Sequence, residues 1–153
     1  MISCRKEITM EKDKENIQKL LIRAGADINL VTSQGQTALS QAIANGNNLL
    51  TEYLLKLGAK VFNEDLKHRD SSAIFQAINK DNLFAIEILC DYDADLTIEN
   101  SNGYTPLLYS AKIGRDKICM YLTLRSKEVD YEDKDGKTVF LYYLERSDIG
   151  HCK

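Results

Sequence analysis

A short motif recurs along this chain at a nearly constant interval, and that interval limits the fold more than any other feature. Gly35-Gln36-Thr37-Ala38-Leu39, Gly103-Tyr104-Thr105-Pro106-Leu107 and Gly136-Lys137-Thr138-Val139-Phe140 share a Gly-x-Thr-x-apolar opening. Asp70-Ser71-Ser72-Ala73-Ile74 is a degenerate copy. Counted from the hydroxyl residue, the steps are 35, 33 and 33 residues. A second marker keeps the same phase: Gly25-Ala26-Asp27, Gly58-Ala59-Lys60, Asp93-Ala94-Asp95 and Ser126-Lys127-Glu128, the last three each 21 residues after a Thr or Ser. A period in this range marks stacked supersecondary units, each burying its apolar face against its neighbours.

Each marker has a local reason. Thr37, Thr105 and Thr138 stand where a helix N-cap belongs, because the hydroxyl accepts from an orphan backbone N–H. Pro106 then falls at the first helical position, where its missing donor costs nothing. Ala42 and Ala77, five residues after the cap, are small enough for two helices to approach closely. Gly46 and Gly114, nine residues after the cap, suit a left-handed residue closing a short first helix. Leu50, Tyr53, Leu54 and Leu57, and again Leu83, Ile86 and Leu89, have the spacing of a second helix.

These residues resemble an ankyrin-repeat protein over about residues 17–146. The resemblance implies an all-α solenoid of helix-turn-helix units with β-turn fingers, about four repeats long, with a partial unit at each end. The chain is expected to be one repeat domain over 1–153, divided near 1–33, 34–68, 69–101, 102–134 and 135–153.

The chain departs from the family pattern in four places. Ser40, Phe75, Leu108 and Leu141 stand where the signature has histidine, so that side-chain bond is expected to be missing or changed. Asp70, Asp81 and Asp93 replace all three glycines of the third unit, which predicts the least stable link, by roughly 0.5–1 kcal/mol per forced position. Two extra residues within 62–69 predict an enlarged finger. At the ends, 5–15 is mostly charged and reads as a solubilising cap. Residues 138–146 predict one apolar helix with too little chain after it for a full second helix, so the C-terminal end is expected to dock on another protein or domain.

Composition excludes several function classes. The chain has 153 residues, 44% hydrophobic and 28% charged, with one proline and a net charge of −3. These values are those of a folded globular chain and argue against a nucleic-acid binder. No apolar run is long enough to cross a bilayer. Cys4, Cys90, Cys119 and Cys152 form no CxxC pair, and the first residues lack an apolar leader. Free thiols inside the cell, in the cytoplasm, are therefore expected.

His68 and His151 are the only histidines and belong to no catalytic motif. No metal site, phosphate loop or dinucleotide motif is present, so neither catalysis nor a cofactor is expected. From Asp81 to Ala111 there is no Lys or Arg against six acidic residues. That stretch reads either as a patch steering a basic partner or as a solvated face with capping aspartates.

The resemblance implies protein–protein recognition, without catalysis, through finger tips and first-helix ends. Carried over by register, the finger positions are Gln34, Gln36, Arg69, Asn102, Tyr104 and Lys137. The helix-end positions are Asn45, Lys80, Ile113 and Arg146. Tyr104, Arg69 and Ile113 are the expected anchors, since Tyr and Arg are enriched at interface hot spots and an exposed Ile favours a partner. Two other roles remain open: a permanent subunit of a large assembly, or the targeting part of a longer enzyme. Leu21 to Asn29 is also similar to the site of an asparaginyl hydroxylase acting on ankyrin repeats, which implies Asn29 as a modification position.

Overall fold

The structure, a computed structural model, describes residues 16–61 and 69–151, with side chains through residue 147. Helix α1 runs through residues 16–23. It is followed by α2 (Ala38–Ala44), α3 (Asn48–Lys56), a 3-10 turn (Arg69–Ser71), α4 (Ala73–Asn79), α5 (Leu83–Asp91), α6 (Pro106–Ile113), α7 (Asp116–Arg125) and α8 (Val139–His151). Among the described residues there is no strand. The molecule is an all-α ankyrin-type solenoid. First helices α2, α4, α6 and α8 stack on one another, second helices α3, α5 and α7 pack each on its own first helix, and α5 also packs between α3 and α7. The charged 5–15 stretch and the finger expected within 62–68 lie outside the described residues.

The caps follow the register. Thr37 Oγ1 accepts from Ser40 N at 3.1 Å, and Ser40 Oγ accepts from Thr37 N at 2.9 Å. Ser40, at the histidine position, thus completes a capping box, so the hydrogen bond is changed rather than lost. Thr105 caps α6 by accepting from Leu108 N, with Pro106 at the first helical position. Ser72 has the cap backbone without the bond, and its hydroxyl is buried with no partner among the described residues.

The helix-ending turns follow it too. Gly114 (φ 77°) closes α6 in the left-handed region, and Gly46 (φ 69°) follows α2 in the same way. Asp81 (φ 53°) and Asp93 (φ 59°) hold this conformation without being glycine. Asp70 does not, because the third finger enters its helix through the 3-10 turn instead. The fourth unit departs differently. Ser126 leaves α7 in extended backbone (φ −76°, ψ 138°), so that turn is not left-handed at all.

A continuous core runs along the stack. Leu39, Ile43, Leu54, Phe75, Ile78, Ile86, Leu89, Leu108, Ile118 and Leu122 are all buried. Ala42 and Ala77 are buried where the helices come close. α8 continues five residues past the expected end at 146 as a single helix.

Candidate interaction surface

Each described finger is built by one side chain. Thr32 Oγ1 accepts from the N–H groups of Gln34 (3.3 Å) and Gln36 (3.1 Å). Asn100 Oδ1 does the same for Asn102 and Tyr104, both at 3.0 Å. Asp133 Oδ1 does it for Asp135 and Lys137, both at 2.9 Å. A short oxygen-bearing side chain closing on its own backbone stabilises a turn without help from the rest of the fold. The backbone closes the same loops, with Thr32 N bonded to Gln36 O, Asn100 N to Tyr104 O and Asp133 N to Lys137 O. These three holders went unnoticed in the sequence. Their signal is Thr, Asn or Asp five residues before each cap.

This geometry sorts the expected contact residues. Two positions after the holder, at the tip, Gln34 and Asn102 are exposed. Four positions after it, the residue turns back toward the stack. Gln36 and Lys137 are half-buried there, and Tyr104 is buried. Tyr104 therefore departs from the expectation of an open anchor. Its hydroxyl accepts from Lys112 Nζ, which also sits 4.0 Å from the ring centroid, and the ring lies 6.5 Å from Tyr109. Arg69 is half-buried, and its Nη1 donates to Glu99 O at 3.4 Å, tying one finger to the next. Neighbouring fingers are also joined by Ser71 Oγ donating to Gln34 O (3.0 Å) and by Ser101 donating to the Asp70 carboxylate.

The helix-end row runs Asn45, Lys80, Ile113 and Arg146, one residue per first helix. The first three are exposed. Arg146 is engaged: its Nη1 donates to Asp116 Oδ1 at 2.8 Å, and its guanidinium stacks on Tyr143. The Arg146 hydrogen bond holds the Asp116 carboxyl below its ordinary range. Lys137 is likewise held by both Glu145 oxygens, at 2.7 and 3.0 Å, which raises its pKa. Five of the ten expected positions, Gln34, Asn45, Lys80, Asn102 and Ile113, are thus exposed side chains. Arg69, Tyr104, Lys137 and Arg146 engage their polar groups with other residues of the chain, Lys137 and Arg146 at its surface. Asn29 Oδ1 accepts from Lys60 N at 2.8 Å and so links two successive loops.

The acidic stretch is answered by cations of the next unit. Arg115 lies 3.8 Å from Asp81, and Arg125 lies 3.4 Å from Asp91. Glu99 accepts from the Tyr131 hydroxyl. Where Ser126 breaks the left-handed turn, a groove of about 500 Å³ opens between the ends of α5 and α7, lined in part by Cys90, Leu96, Leu107 and Tyr131. Burial pushes the Cys90 thiol up, which keeps it protonated and unlike a nucleophile. Cys90 and Cys119 are free thiols. Among the described residues no three His, Cys, Asp or Glu side chains gather as a metal site. No helix among them is long and apolar enough to cross a membrane.

A family described as ankyrin repeats (3 copies) matches residues 7–100 and 62–135. The chain belongs to the ankyrin-repeat family. Repeats of this family form protein–protein interaction modules. Its relatives include ankyrin repeat protein FPV031 of Fowlpox virus, 28% identical over 112 residues, covering 69% of this chain and 33% of that protein. Ankyrin repeat protein R664 of Acanthamoeba polyphaga mimivirus is 37% identical over 71 residues, covering 46% of this chain and 43% of that one. A Danio rerio protein named as the palmitoyltransferase ZDHHC13 is 28% identical over 122 residues, 78% of this chain but 18% of its own length. The chain thus spans less than half the length of these curated relatives.

Proposed function

We propose that this chain is a non-catalytic recognition module that holds a protein partner along the edge formed by its first-helix ends and finger tips. The observation that carries the reading is the row Asn45, Lys80 and Ile113, with the tips Gln34 and Asn102. These side chains stand at repeating positions, are exposed, and differ in chemistry from unit to unit. A scaffold that repeats its core and varies its edge is suited to reading another protein's surface. Ile113 supplies the apolar contact, and Lys80 supplies charge for orientation and steering. The free thiols Cys90 and Cys119 support a reducing compartment inside the cell.

A second reading makes the same edge the targeting part of a longer polypeptide. The Danio rerio relative favours it, since its match to this chain occupies a small share of a protein named as an enzyme.

Co-purification from source cells with quantitative mass spectrometry tests the first reading. The wild-type chain is expected to carry a companion at near-equal stoichiometry. Lys80→Glu with Ile113→Asp should lose it, and Leu124→Glu, on the far side of α7, should keep it. Loss in both variants, or retention in both, overturns the assignment of the edge.

A further inference from the structure

The turn that ends α7 is built differently from those that end α3 and α5, and the difference leaves a vacant space. After α3 and α5 the chain turns in left-handed backbone at Gly58 and Asp93, and the N–H groups of Ala59 and Ala94 return to Leu54 O and Leu89 O. The alanine methyls then pack on the core, as do Val61 and Leu96 two residues later. In the fourth unit the matching residues are Ser126, Lys127 and Val129. Ser126 N returns to Leu122 O, the backbone continues extended, and both Lys127 and Val129 are exposed. A lysine cannot take the place of an alanine methyl without burying its charge. The loop stands off, and the groove of about 500 Å³ is the space it leaves.

The floor of that groove is apolar. Leu107 is buried, and Leu96, Cys90 and the Tyr131 ring are half-buried. The ring is held in place by the bond from its hydroxyl to Glu99. Ser126 adds one polar atom, an Oγ that is buried and has no hydrogen-bond partner among the described residues. A ligand group that pairs with it relieves an unmet hydrogen bond. The rim is acidic. Asp93, Asp95 and Glu128 stand there against Arg125 and Lys127. Arg125 is already engaged, 3.4 Å from Asp91 and stacked on the Tyr121 ring. Three carboxylates thus face one remaining ammonium.

We propose that this groove binds a small organic ammonium ion, whose flat apolar body lies between Leu96, Leu107 and Tyr131 and whose cation meets the carboxylates at the rim. The volume falls within the range of small-molecule sites, roughly 300–1,000 Å³. An N–H or O–H on the apolar body donates to Ser126 Oγ and fixes its orientation. The site uses none of the edge residues assigned above, so it stands independently of that reading.

The test is an amide NMR titration of the full chain with tryptamine, indole and indole acetate, which share a ring and differ in charge. Tryptamine at millimolar concentration is expected to shift the amides of residues 90–97 and 125–131, around the groove. It should bind more tightly than indole, with indole acetate weakest. Asp93→Asn with Asp95→Asn should weaken tryptamine about threefold, as exposed charges do, and leave indole unchanged. Ser126→Gly with Lys127→Ala restores the turn of the earlier units. It should close the groove and abolish binding of all three probes, with the helical circular dichroism of the wild type. Leu96→Trp, which fills the groove from its own wall, stands in if that pair does not fold. A titration in which no probe moves these amides overturns the proposal. So does indole or indole acetate binding as tightly as tryptamine, which would make the groove an apolar or an anion site. Undiminished binding to the closed variant overturns it as well, because the probe would then lie elsewhere.

Discussion

The Tyr142 hydroxyl donates to Asp133 Oδ2 and fastens the last finger to the helix that follows it. The other oxygen of that carboxylate holds the finger's own N–H groups, so one buried side chain serves both. Burial opposes its ionisation. The hydrogen bonds from Tyr142 and from the Lys137 and Asp135 backbone outweigh that, and hold the carboxyl below its ordinary range. A carboxyl lowered in the folded chain contributes stability above its unfolded value, about 3.9, and loses it as pH falls through the folded value. Asp133→Asn keeps the backbone acceptor, as Asn100 does in the preceding finger. It should cost about 1 kcal/mol at neutral pH and weaken the acid dependence below about pH 4. Asp133→Ala should cost about 2–3 kcal/mol. Urea unfolding at several pH values checks both.

Asp93 and Asp81 sit in left-handed backbone that glycine adopts freely. Asp93→Gly should stabilise the chain by roughly 0.5–1 kcal/mol. Asp81→Gly should stabilise it less, because it also removes the ion pair with Arg115, a surface contact worth about 0–1 kcal/mol. Thermal unfolding gives the ranking. Hydrogen exchange asks a separate question. The third unit contributes the buried Phe75, Ile78, Ile86 and Leu89 at the centre of the stack. If exchange is nonetheless fastest within 73–95, turn strain outweighs packing, as the glycine losses predict; slowest exchange there reverses that order.

What was legible in the sequence is what local chemistry decides. The Thr37 and Thr105 caps, Pro106 and the left-handed Gly46 and Gly114 need only their own backbone, and each stands where spacing put it. Asn47 and Asn82 cap the second helices by accepting from Leu50 N and Ala85 N at 3.0 and 3.1 Å. They escaped notice, although an Asn just before an apolar helical run is an ordinary start signal. The orientation of Tyr104 was not legible. Position in a finger gives its place in the repeat, but whether the ring faces solvent depends on Lys112 and Tyr109 of the helix behind it. Contacts made about one repeat away, such as Tyr109 Oη to Asn79 Oδ1 at 2.7 Å, depend likewise on how neighbouring units rotate.

The first-helix caps differ in a way that mutation resolves. Thr37→Ala removes the Thr37 Oγ1 half of a capping box, leaving Ser40 Oγ on the backbone N–H of residue 37, and should cost about 1 kcal/mol. Ser72→Ala removes a hydroxyl that makes no cap bond and is buried without a partner among the described residues. It should be neutral or stabilise slightly, since an unsatisfied buried polar group is a penalty in itself. Equal losses from the two substitutions in urea unfolding would mean that Ser72 caps its helix in solution.

Arg115 holds the position that Asn47 and Asn82 hold in the earlier second helices, and it makes no side-chain cap. Its guanidinium reaches back instead, with Nη2 donating to Asn79 O at 2.9 Å and Nη1 lying 3.8 Å from Asp81. Restoring the cap with Arg115→Asn returns about 1 kcal/mol at the helix start. It gives up one charge-assisted bond of about 1.5–3 kcal/mol, reduced because the side chain is partly exposed, and a surface ion pair of about 0–1 kcal/mol. The balance is a net loss of about 1 kcal/mol. Arg115→Ala, which gives up the bridge and gains no cap, should lose about 1 kcal/mol more than Asn does. Salt separates the two contributions. Added salt should weaken the wild type more than Arg115→Asn, because screening acts on the bridge and not on the cap, and the remaining ion pairs are common to both. If Arg115→Asn is more stable than the wild type at low salt, the Arg115 bridge contributes less to the junction between the third and fourth units than a helix cap does.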